Sequence, residues 1–211
     1  MLSVMPPVKT ARTEPRRGRP RSEQSRQAIL RAVSELVLDR DLSEISMDAV
    51  AERAGASKAT IYRWWTSKEL LVLDALRNEW DTAVPEVTDT GSLSGDLRAV
   101  IVPWTRELAT KPYGHVIASL IVRAQVDPLF AREYRTHFVG PRRKPARSAF
   151  RRAIERGEIT RDTDVEAAVD LLYGPFYHRL LHTHAAVTDR FARAILEYVV
   201  AAVSASDRAV G

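Results

Sequence analysis

A short segment after Gly55 places hydroxyl, aromatic and cationic side chains at the spacing of a helix. Residues 57–65 read Ser-Lys-Ala-Thr-Ile-Tyr-Arg-Trp-Trp. Ile61 and Trp65 lie four positions apart, so they share one face of a helix and are expected to point inward. The side chains left on the outer face and its flanks are those of Lys58, Ala59, Thr60, Tyr62, Arg63 and Trp64. Such groups can contact base edges and phosphates, which indicates a nucleic-acid-binding surface. For Trp64, packing in the core stays open as a second interpretation.

The histidines offer the other candidate chemistry. The chain contains no cysteine, which excludes disulfides, thiolate catalysis and cysteine-ligated metals. Enzymatic chemistry would therefore depend on His115, His137, His178, His182 and His184. His178 and His182 are four positions apart and have the spacing of two metal ligands on one helix face. Because the sequence indicates no third ligand, we expect no metal site, no cofactor and no enzymatic activity.

The residues before position 57 predict the elements that hold the candidate surface in place. A first helix is expected from Ser22, and its apolar stripe consists of Ile29, Ala32, Val33, Leu36 and Val37. Ser46 is a good N-cap for a second helix, which Gly55 should end by adopting a positive φ. Ser57 then caps the third helix. Two helices joined by a tight glycine turn are typical of a helix-turn-helix.

The rest of the chain is also predicted to be helical. Residues 66–69 match a capping box that opens a fourth helix running to about Trp80, and residues 81–95 are a turn-rich connection. Apolar spacing then predicts helices over 96–109, 112–125, 130–138 and 141–156, with a break at Gly140 and Pro141 and a stop at Gly157. A second capping box, Thr163 to Glu166, and Thr188 open two long final helices. No alternating pattern indicates a strand, so the fold class is all-α.

The excess positive charge of the chain lies at its amino end. Residues 1–21 hold six basic side chains and one acidic side chain, which accounts for the whole net charge of +5. They also contain four prolines and no apolar periodicity, so we expect a disordered basic arm. Its end, Arg17-Gly-Arg-Pro-Arg21, is suited to an extended strip in a narrow minor groove. A solubilising tail is the alternative, and the neighbouring helix-turn-helix favours the nucleic-acid arm.

Residues 22–71 resemble the DNA-binding domain of the tetracycline-repressor (TetR) family of bacterial transcriptional regulators. The resemblance lies in the first-helix stripe, in Ser-Met-Asp-Ala-Val-Ala at 46–51, in Ala-Gly-Ala-Ser at 54–57, in Thr-Ile-Tyr at 60–62, in Trp65 and in Ser-Lys-Glu-Leu-Leu at 67–71. Residues 171–181 also look like a carboxy-terminal subtype of this family, which identifies no ligand.

The resemblance implies a role for individual residues. Lys58, Ala59 and Thr60 should approach base edges, and Tyr62, Trp64 and Lys68 should touch phosphates. Trp64 stands where many relatives have histidine or another polar residue, although an indole N–H can still donate to a phosphate. The full set of expected DNA contacts is Arg19, Arg21, Ser46, Met47, Ser57, Lys58, Ala59, Thr60, Tyr62, Arg63, Trp64 and Lys68.

The resemblance also implies an architecture of about nine helices in total. The expected division is a basic arm over 1–21, a three-helix DNA-binding domain over 22–68 and a ligand-binding and dimerisation domain over 69–211. Homodimers would form through the last two helices as a four-helix bundle. The expected interface residues are Leu172, Phe176, Leu180, Phe191, Ile195, Tyr198 and Val199.

An inducer in the second domain would shift the fourth helix, residues 66–80, and so move apart the DNA-binding domains of the two protomers. The candidate pocket residues are Trp80, Trp104, His115, Leu120, Arg123, Tyr134 and Tyr173. Arg123, in an otherwise apolar helix, suggests a polar or anionic ligand.

These expectations amount to a homodimeric repressor of a palindromic operator, released by a small-molecule inducer. The alternative within the same fold is a ligand-independent or activating regulator. A structural protein that ignores DNA is a further alternative, which the residues of the third helix disfavour. Because no apolar run approaches the roughly 20 residues of a membrane span, we expect a soluble protein of the cytoplasm.

Overall fold

The computed structural model describes residues 19–40, 42–83 and 89–205, and all regular secondary structure in these ranges is helical. It comprises ten α-helices and one π-helical segment. Their bounds are α1 Arg19–Asp39, α2 Met47–Ala54, α3 Lys58–Tyr62, α4 Lys68–Ala83, α5 Leu93–Leu108, α6 Lys111–Val126, α7 Pro128–Tyr134, the π-helical segment Arg135–Val139, α8 Gly140–Glu155, α9 Val165–His182 and α10 Asp189–Ala205. The predicted all-α class is confirmed.

The first three helices pack around the stripe that the sequence predicts. All five members of the α1 stripe are buried, as are Val50 of α2, Ile61 of α3 and Trp65 beyond it. Leu71, Val72 and Leu76 of α4 complete the same cluster. Because three short helices of this size bury little surface alone, α4 supplies much of the wall against which they fold.

The core of this amino-terminal unit continues into the second half of the chain. Val116 and Leu120 of α6, Phe130 of α7 and Phe138 of the π-helical segment belong to the same apolar cluster as α1–α4. A second cluster joins α5, α8, α9 and α10 around Trp104. The helix α4 therefore contacts both the first three helices, α1–α3, and the helices that follow it. A division of the chain at residues 68 and 69 stays a proposal.

Several helix starts differ from the predicted ones by one to three residues. The helix α1 begins at Arg19 rather than Ser22, so Arg19, Pro20 and Arg21 are helical and the extended strip expected there is wrong. Proline is compatible with this position because the first turn of a helix needs no backbone N–H donor. Residues 1–18 of the predicted arm lie outside the described residues.

Two predicted capping boxes are each displaced by one position. Ser67 rather than Thr66 accepts the backbone N–H of Leu70, at 3.2 Å, at the start of α4. At the start of α9, Asp164 rather than Thr163 accepts the N–H groups of Glu166 and Ala167, both at 3.0 Å. Both pairs offer two adjacent capping side chains, and packing of the following helix decides which one is used.

The predicted break at Gly140 and Pro141 is absent. The π-helical segment connects α7 to α8 without a turn, and Gly140 has helical dihedral angles. Pro141 lies in the first turn of α8, where its missing N–H costs no hydrogen bond. The predicted stop at Gly157 is confirmed, because this residue has a φ of +74° after the last turn of α8. No described helix is long and apolar enough to cross a membrane.

Candidate nucleic-acid interface

The turn between α2 and α3 is built by two capped helix ends and one glycine. The hydroxyl of Ser46 accepts the backbone N–H of Ala49 at 3.1 Å, and that of Ser57 accepts the N–H of Thr60 at 3.2 Å. Gly55 lies between them in the left-handed region, with a φ of +60°. A residue with a Cβ is strained in this conformation, so glycine allows α2 to end and α3 to begin with only three residues between them.

The outer face of α3 is open to solvent, as predicted. Tyr62 has 51% of its side-chain surface exposed and Trp64 has 40%, whereas Ile61 and Trp65 are buried. The hydroxyl groups of Ser57 and Thr60 lie 2.9 Å apart and share a hydrogen bond, which fixes the rotamer of Thr60. The structure therefore presents one ordered hydroxyl beside an exposed phenol and an exposed indole, and core packing of Trp64 is only partial.

Lys58 is exposed but is paired with an acidic residue of the neighbouring helix. Its ammonium lies 2.5 Å from the carboxylate of Asp48 on α2. The hydrogen bond from Lys58 to Asp48 raises the lysine pKa above its ordinary value. A nucleic-acid phosphate or base that binds Lys58 must therefore compete with Asp48, a pairing that was not predicted from the sequence.

Arginine side chains flank the two tryptophans. The guanidinium of Arg26 on α1 lies 6.0 Å from the ring centre of Trp64 and 5.9 Å from that of Trp65. Arg63 lies 6.0 Å from the Trp64 ring on the recognition side. Cation–π contacts of this kind orient the indole of Trp64 and keep positive charge beside it. Trp64 therefore lies beside two positively charged side chains, which favours contact with a phosphate backbone.

Asp74 of α4 connects the helix-turn-helix to the rest of the protein. Its carboxylate accepts the indole N–H of Trp65 at 3.1 Å and pairs with Arg26 at 2.6 Å and with Arg77 at 2.8 Å. One carboxylate thus joins α1, the end of the α3 segment and α4. The sequence offers no local signal for this junction, since Arg26 and Asp74 are 48 positions apart.

A cleft adjoins this junction on the side of the π-helical segment. It has a volume of about 220 Å³ and is lined by both tryptophans, Asp74, Arg77, Glu133 and His137, among others. His137 and Glu133 lie 3.3 Å apart on the far wall. The cleft therefore separates the end of the recognition segment from the helices that carry the second half of the core.

The remaining expected DNA contacts do not belong to the α3 face. Lys68 is half-buried and its ammonium donates to the backbone carbonyl of Leu42 at 2.7 Å, in a cleft it shares with His115. Its predicted phosphate contact would have to use its remaining donors. The side chains of Arg19 and Arg21 lie outside the described residues. Met47 is half-buried at the start of α2, beside the exposed Ser46.

A buried aromatic centre forms the second candidate site, and two of the predicted pocket residues, Trp104 and Tyr173, meet there. Trp104 of α5 is 1% exposed, and its ring centre lies 5.1 Å from that of Tyr173 and 5.7 Å from that of Tyr177. The indole N–H of Trp104 has no hydrogen-bond partner among the described residues. Tyr134 is buried on the α7 side, 5.1 Å from Phe138 by ring centres.

Arg142 of α8 is the charged residue of this centre. Its guanidinium lies 4.0 Å from the ring centre of Phe138 and donates to the hydroxyl of Tyr113. The hydroxyl of Tyr173 in turn donates to the Arg142 carbonyl at 2.9 Å. Burial raises the pKa of Tyr113 to about 12, so its phenol stays protonated at neutral pH. Arg142, Tyr113 and Tyr177 are not among the predicted pocket residues, because α6, α8 and α9 bring them together from distant parts of the chain.

The other predicted pocket residues do not join the aromatic centre. His115 and Arg123 are exposed on the opposite side of α6, where Arg123 pairs with Asp127 at 2.6 Å. Leu120 is buried in the cluster around α1–α4. The side chain of Trp80 lies outside the described residues. The suggestion that Arg123 binds a ligand stays a prediction, and its guanidinium is paired with Asp127 one turn away.

The last two helices leave part of their apolar surface uncovered. Leu171 is 58% exposed and Tyr198 is 69% exposed. Leu180, Phe191 and Ile195 are half-buried.

Three of the predicted interface residues, Leu172, Phe176 and Val199, are instead buried within the protomer, so their side chains cannot reach a partner. This correction arises because the sequence shows apolar spacing but does not show which face packs against α5 and α8.

The comparisons with known proteins agree with this geometry. Residues 29–75 match the family model described as bacterial regulatory proteins of the tetR family, and residues 87–199 match that of the tetracyclin repressor-like C-terminal domain. An uncharacterised HTH-type transcriptional regulator, YdeS of Bacillus subtilis (strain 168), is 39% identical over 178 residues, which cover 84% of this chain and 89% of that protein.

Two further relatives extend the similarity to function and to structure. The DNA-binding transcriptional repressor TetR of Mycobacteroides abscessus is 35% identical over 74% of this chain and 83% of its own length. The crystal structure of the TetR family transcription regulator SCO0332 has a TM-score of 0.73 and 35% identity, covering 84% of this chain and 97% of that one.

Proposed function

Because the chain belongs to the TetR family of transcriptional regulators, we propose that it is a homodimeric repressor of a palindromic operator. A small-molecule effector bound in the aromatic centre releases it from DNA. A relative that is 35% identical is named as a DNA-binding transcriptional repressor, which supports repression over activation. The protein acts in the cytoplasm, where bacterial operator DNA is found.

The observation that carries the proposal is the outer face of α3. Thr60, Tyr62 and Arg63 project from a short helix whose start is capped by Ser57 and whose inner face is anchored by Ile61. A helix held in this way can enter a major groove, and a symmetric dimer would place two such helices about 34–36 Å apart along the DNA.

The test is fluorescence anisotropy with DNA taken from upstream of the gene for this protein. We expect tight, competitor-resistant binding by the wild type and a loss of about tenfold or more for Arg63→Ala. Arg151→Ala, an exposed arginine on α8 far along the chain, should bind like the wild type. Equal binding by all three proteins would contradict the proposed reading face.

The uncovered surface of α9 and α10 supports the homodimer. Leu171 and Gly174 of α9 and Tyr198 of α10 are exposed, and Ile195 of α10 is half-buried. Gly174 leaves open space at its Cβ position, so a partner helix could approach closely there. Apolar side chains exposed on two helices of one protomer are suited to bury against a second copy as a four-helix bundle.

The aromatic centre supports an effector with a planar apolar body and a hydrogen-bond acceptor. Trp104 and Tyr173 meet edge to face and offer ring surfaces for stacking. A buried indole N–H without an acceptor costs about 1–3 kcal/mol, so a ligand carbonyl or carboxylate near Trp104 would gain that energy.

The proposed effector site is tested by a thermal-shift screen of aromatic carboxylates. Trp104→Phe keeps most of the ring volume and removes only the N–H donor. We expect an effector found with the wild type to stabilise Trp104→Phe less and to release its DNA less, while DNA affinity without effector is unchanged. An effector that acts equally on both proteins would place the site elsewhere. A wild type that binds DNA but responds to no compound would favour the ligand-independent alternative.

Transmission to the DNA-binding unit would pass through α4. Phe138, which contacts Arg142, lies in the same apolar cluster as Leu73 and Leu76 of α4. Asp74 on that helix then holds Trp65 and Arg26 of the helix-turn-helix. A shift of α4 that follows effector binding would therefore move the helix-turn-helix as a unit. The effector would contact the two positions of α4 differently, and a population shift requires such a difference.

A further inference from the structure

Three histidines gather where α9 ends, outside both sites described above. The ring centres of His178 and His182 lie 4.6 Å apart, and those of His178 and His184 lie 5.0 Å apart. All three side chains are exposed. The sequence showed only the pair on the helix, because it could not show that the chain turns back after His182.

The turn that brings His184 to His178 is held in an uncommon backbone conformation. Thr183 has a φ of 51° and is the one residue other than glycine with a positive φ in the described ranges. A β-branched residue is unfavourable in this region, where glycine or asparagine is usual. The N–H of Thr183 donates to the Arg179 carbonyl at 2.9 Å, and Arg179 donates to the Ala186 carbonyl at 2.6 Å. The loop is thus fixed against the last turn of α9.

We propose that His178, His182 and His184 bind a divalent transition-metal ion, with zinc as the best match to three imidazoles and water. Two imidazoles on one tetrahedral zinc ion, with Zn–N distances of about 2.0–2.1 Å, have ring centres about 5 Å apart, which is the spacing found here. As the side chains stand, no three ligating groups in the described ranges converge on one metal position. The exposed rings must therefore rotate on binding, which costs little for side chains that solvent surrounds.

A metal ion at this position would join the last turn of α9 to the loop that leads into α10. His178 follows Gly174 by one turn and Leu171 by two turns, so the ion would lie at the end of the exposed α9 face. It would stabilise the hairpin of the two helices on which the proposed dimer depends. The metal site itself does not rest on the proposed function and is tested without DNA or effector.

The test is isothermal titration calorimetry of the full-length, metal-free protein, without a histidine tag, using zinc chloride as the probe. We expect one zinc ion to bind per chain. His184→Ala and His178→Ala should each bind zinc about tenfold more weakly or worse, because each leaves only two ligands. His115→Ala, which removes an exposed histidine of α6, should bind zinc like the wild type. Circular dichroism checks that each variant is folded.

A second measurement uses cobalt(II) on the wild type alone. The visible absorption of bound cobalt should show the intense bands of a tetrahedral site with nitrogen ligands. Absence of zinc binding by the wild type would overturn the proposal. Zinc binding that His184→Ala leaves unchanged would also overturn it, because the loop histidine would then not be a ligand.

Discussion

The indole N–H of Trp65 donates to the carboxylate of Asp74 at 3.1 Å, which ties the end of the recognition segment to α4. The same carboxylate pairs with Arg26 of α1 at 2.6 Å. Trp65 and Arg26 belong to the DNA-binding unit, and Asp74 belongs to the helix that continues into the core. This junction therefore couples the movement of the DNA-binding unit to that of α4.

Replacing Asp74 by Asn should loosen the DNA-binding unit. The amide keeps an acceptor for Trp65 but removes the charge that Arg26 and Arg77 share, and the carboxylate is only 17% exposed. We expect the free energy of unfolding to fall by about 1–3 kcal/mol, measured by urea denaturation. Glu35→Gln, which breaks the exposed pair with Arg53, serves as the control and should change it by less than about 0.5 kcal/mol. An equal fall in the free energy of unfolding for both variants would show that Asp74 contributes no more to stability than an exposed ion pair.

Replacing Asp48 by Asn should strengthen DNA binding. The substitution releases Lys58 from its partner and removes a negative charge beside the reading face. We expect affinity for the operator to rise about threefold at low salt, measured by anisotropy, and the gain to shrink as salt is added. Lys58→Ala should lower affinity, and the double variant should lose the benefit of Asp48→Asn. A gain that persists without Lys58 would mean that Asp48 acts by repelling phosphates directly.

Removing the amino-terminal arm should flatten the salt dependence of DNA binding. The cut belongs after residue 18, because α1 begins at Arg19. Residues 1–18 hold four basic side chains. Since each neutralised phosphate adds about 0.9 to the slope of log K against log salt, the slope should become shallower by at most about 3–4. An unchanged slope would show that the arm does not contact DNA.

Introducing charge on the uncovered surface of α9 and α10 should disrupt the proposed homodimer. Leu171→Glu and Tyr198→Glu place a carboxylate on residues that are exposed in the protomer, so each variant should still fold. We expect both to sediment as monomers and to bind a palindromic operator at least about a hundredfold more weakly, since avidity is lost. Leu129→Glu on α7 alters an equally exposed leucine and should remain dimeric. Dimeric Leu171→Glu and Tyr198→Glu variants would place the interface on another surface.

Asp96 should make the stability of the second half of the chain depend on pH. Burial raises the pKa of this carboxyl group, but hydrogen bonds from Thr90 and Arg152 outweigh that effect and hold it below the ordinary value. Its contribution is therefore present above the unfolded value of about 4 and is lost as the pH falls through the folded value.

Asp96→Asn should accordingly cost about 1–3 kcal/mol at pH 7, and the difference from the wild type should narrow below pH about 4. Urea denaturation at several pH values measures the free energy of unfolding of the variant and of the wild type. Asp162→Asn, which alters an exposed aspartate before α9, serves as the control and should change the free energy of unfolding by less than about 0.5 kcal/mol. A difference that stays constant down to low pH would contradict the role of the charge.

Local signals explain why the helix-turn-helix could be predicted from the sequence. Ser46, Gly55 and Ser57 each act on residues within three or four positions, and the pair Ile61 and Trp65 fixes the inner face of α3 by spacing alone. The capping boxes at the starts of α4 and α9 were displaced by one residue because adjacent side chains were equally able to cap.

The remaining features depend on helices that are distant in the chain. Asp74 is joined to Arg26, and Arg142 is brought beneath Phe138 and beside Tyr113, by packing that no short segment encodes. The apolar residues of α9 and α10 that pack within the protomer could not be separated from those left exposed either, because both helices carry apolar residues on more than one side. Side-chain spacing reports which residues share a face, whereas the partner of that face depends on the tertiary fold.

The π-helical segment Arg135–Val139 has a consequence for the length of the chain in this region. A single π turn accommodates one residue more than an α-helical turn, and the faces of the helices on either side stay in phase. Tyr134 before it and Arg142 after it therefore both reach the interior. A related protein could lack one residue here, close the turn into a regular α-helix and keep both buried faces. We expect a one-residue deletion in this segment to be tolerated far better than the same deletion within α7 or α8.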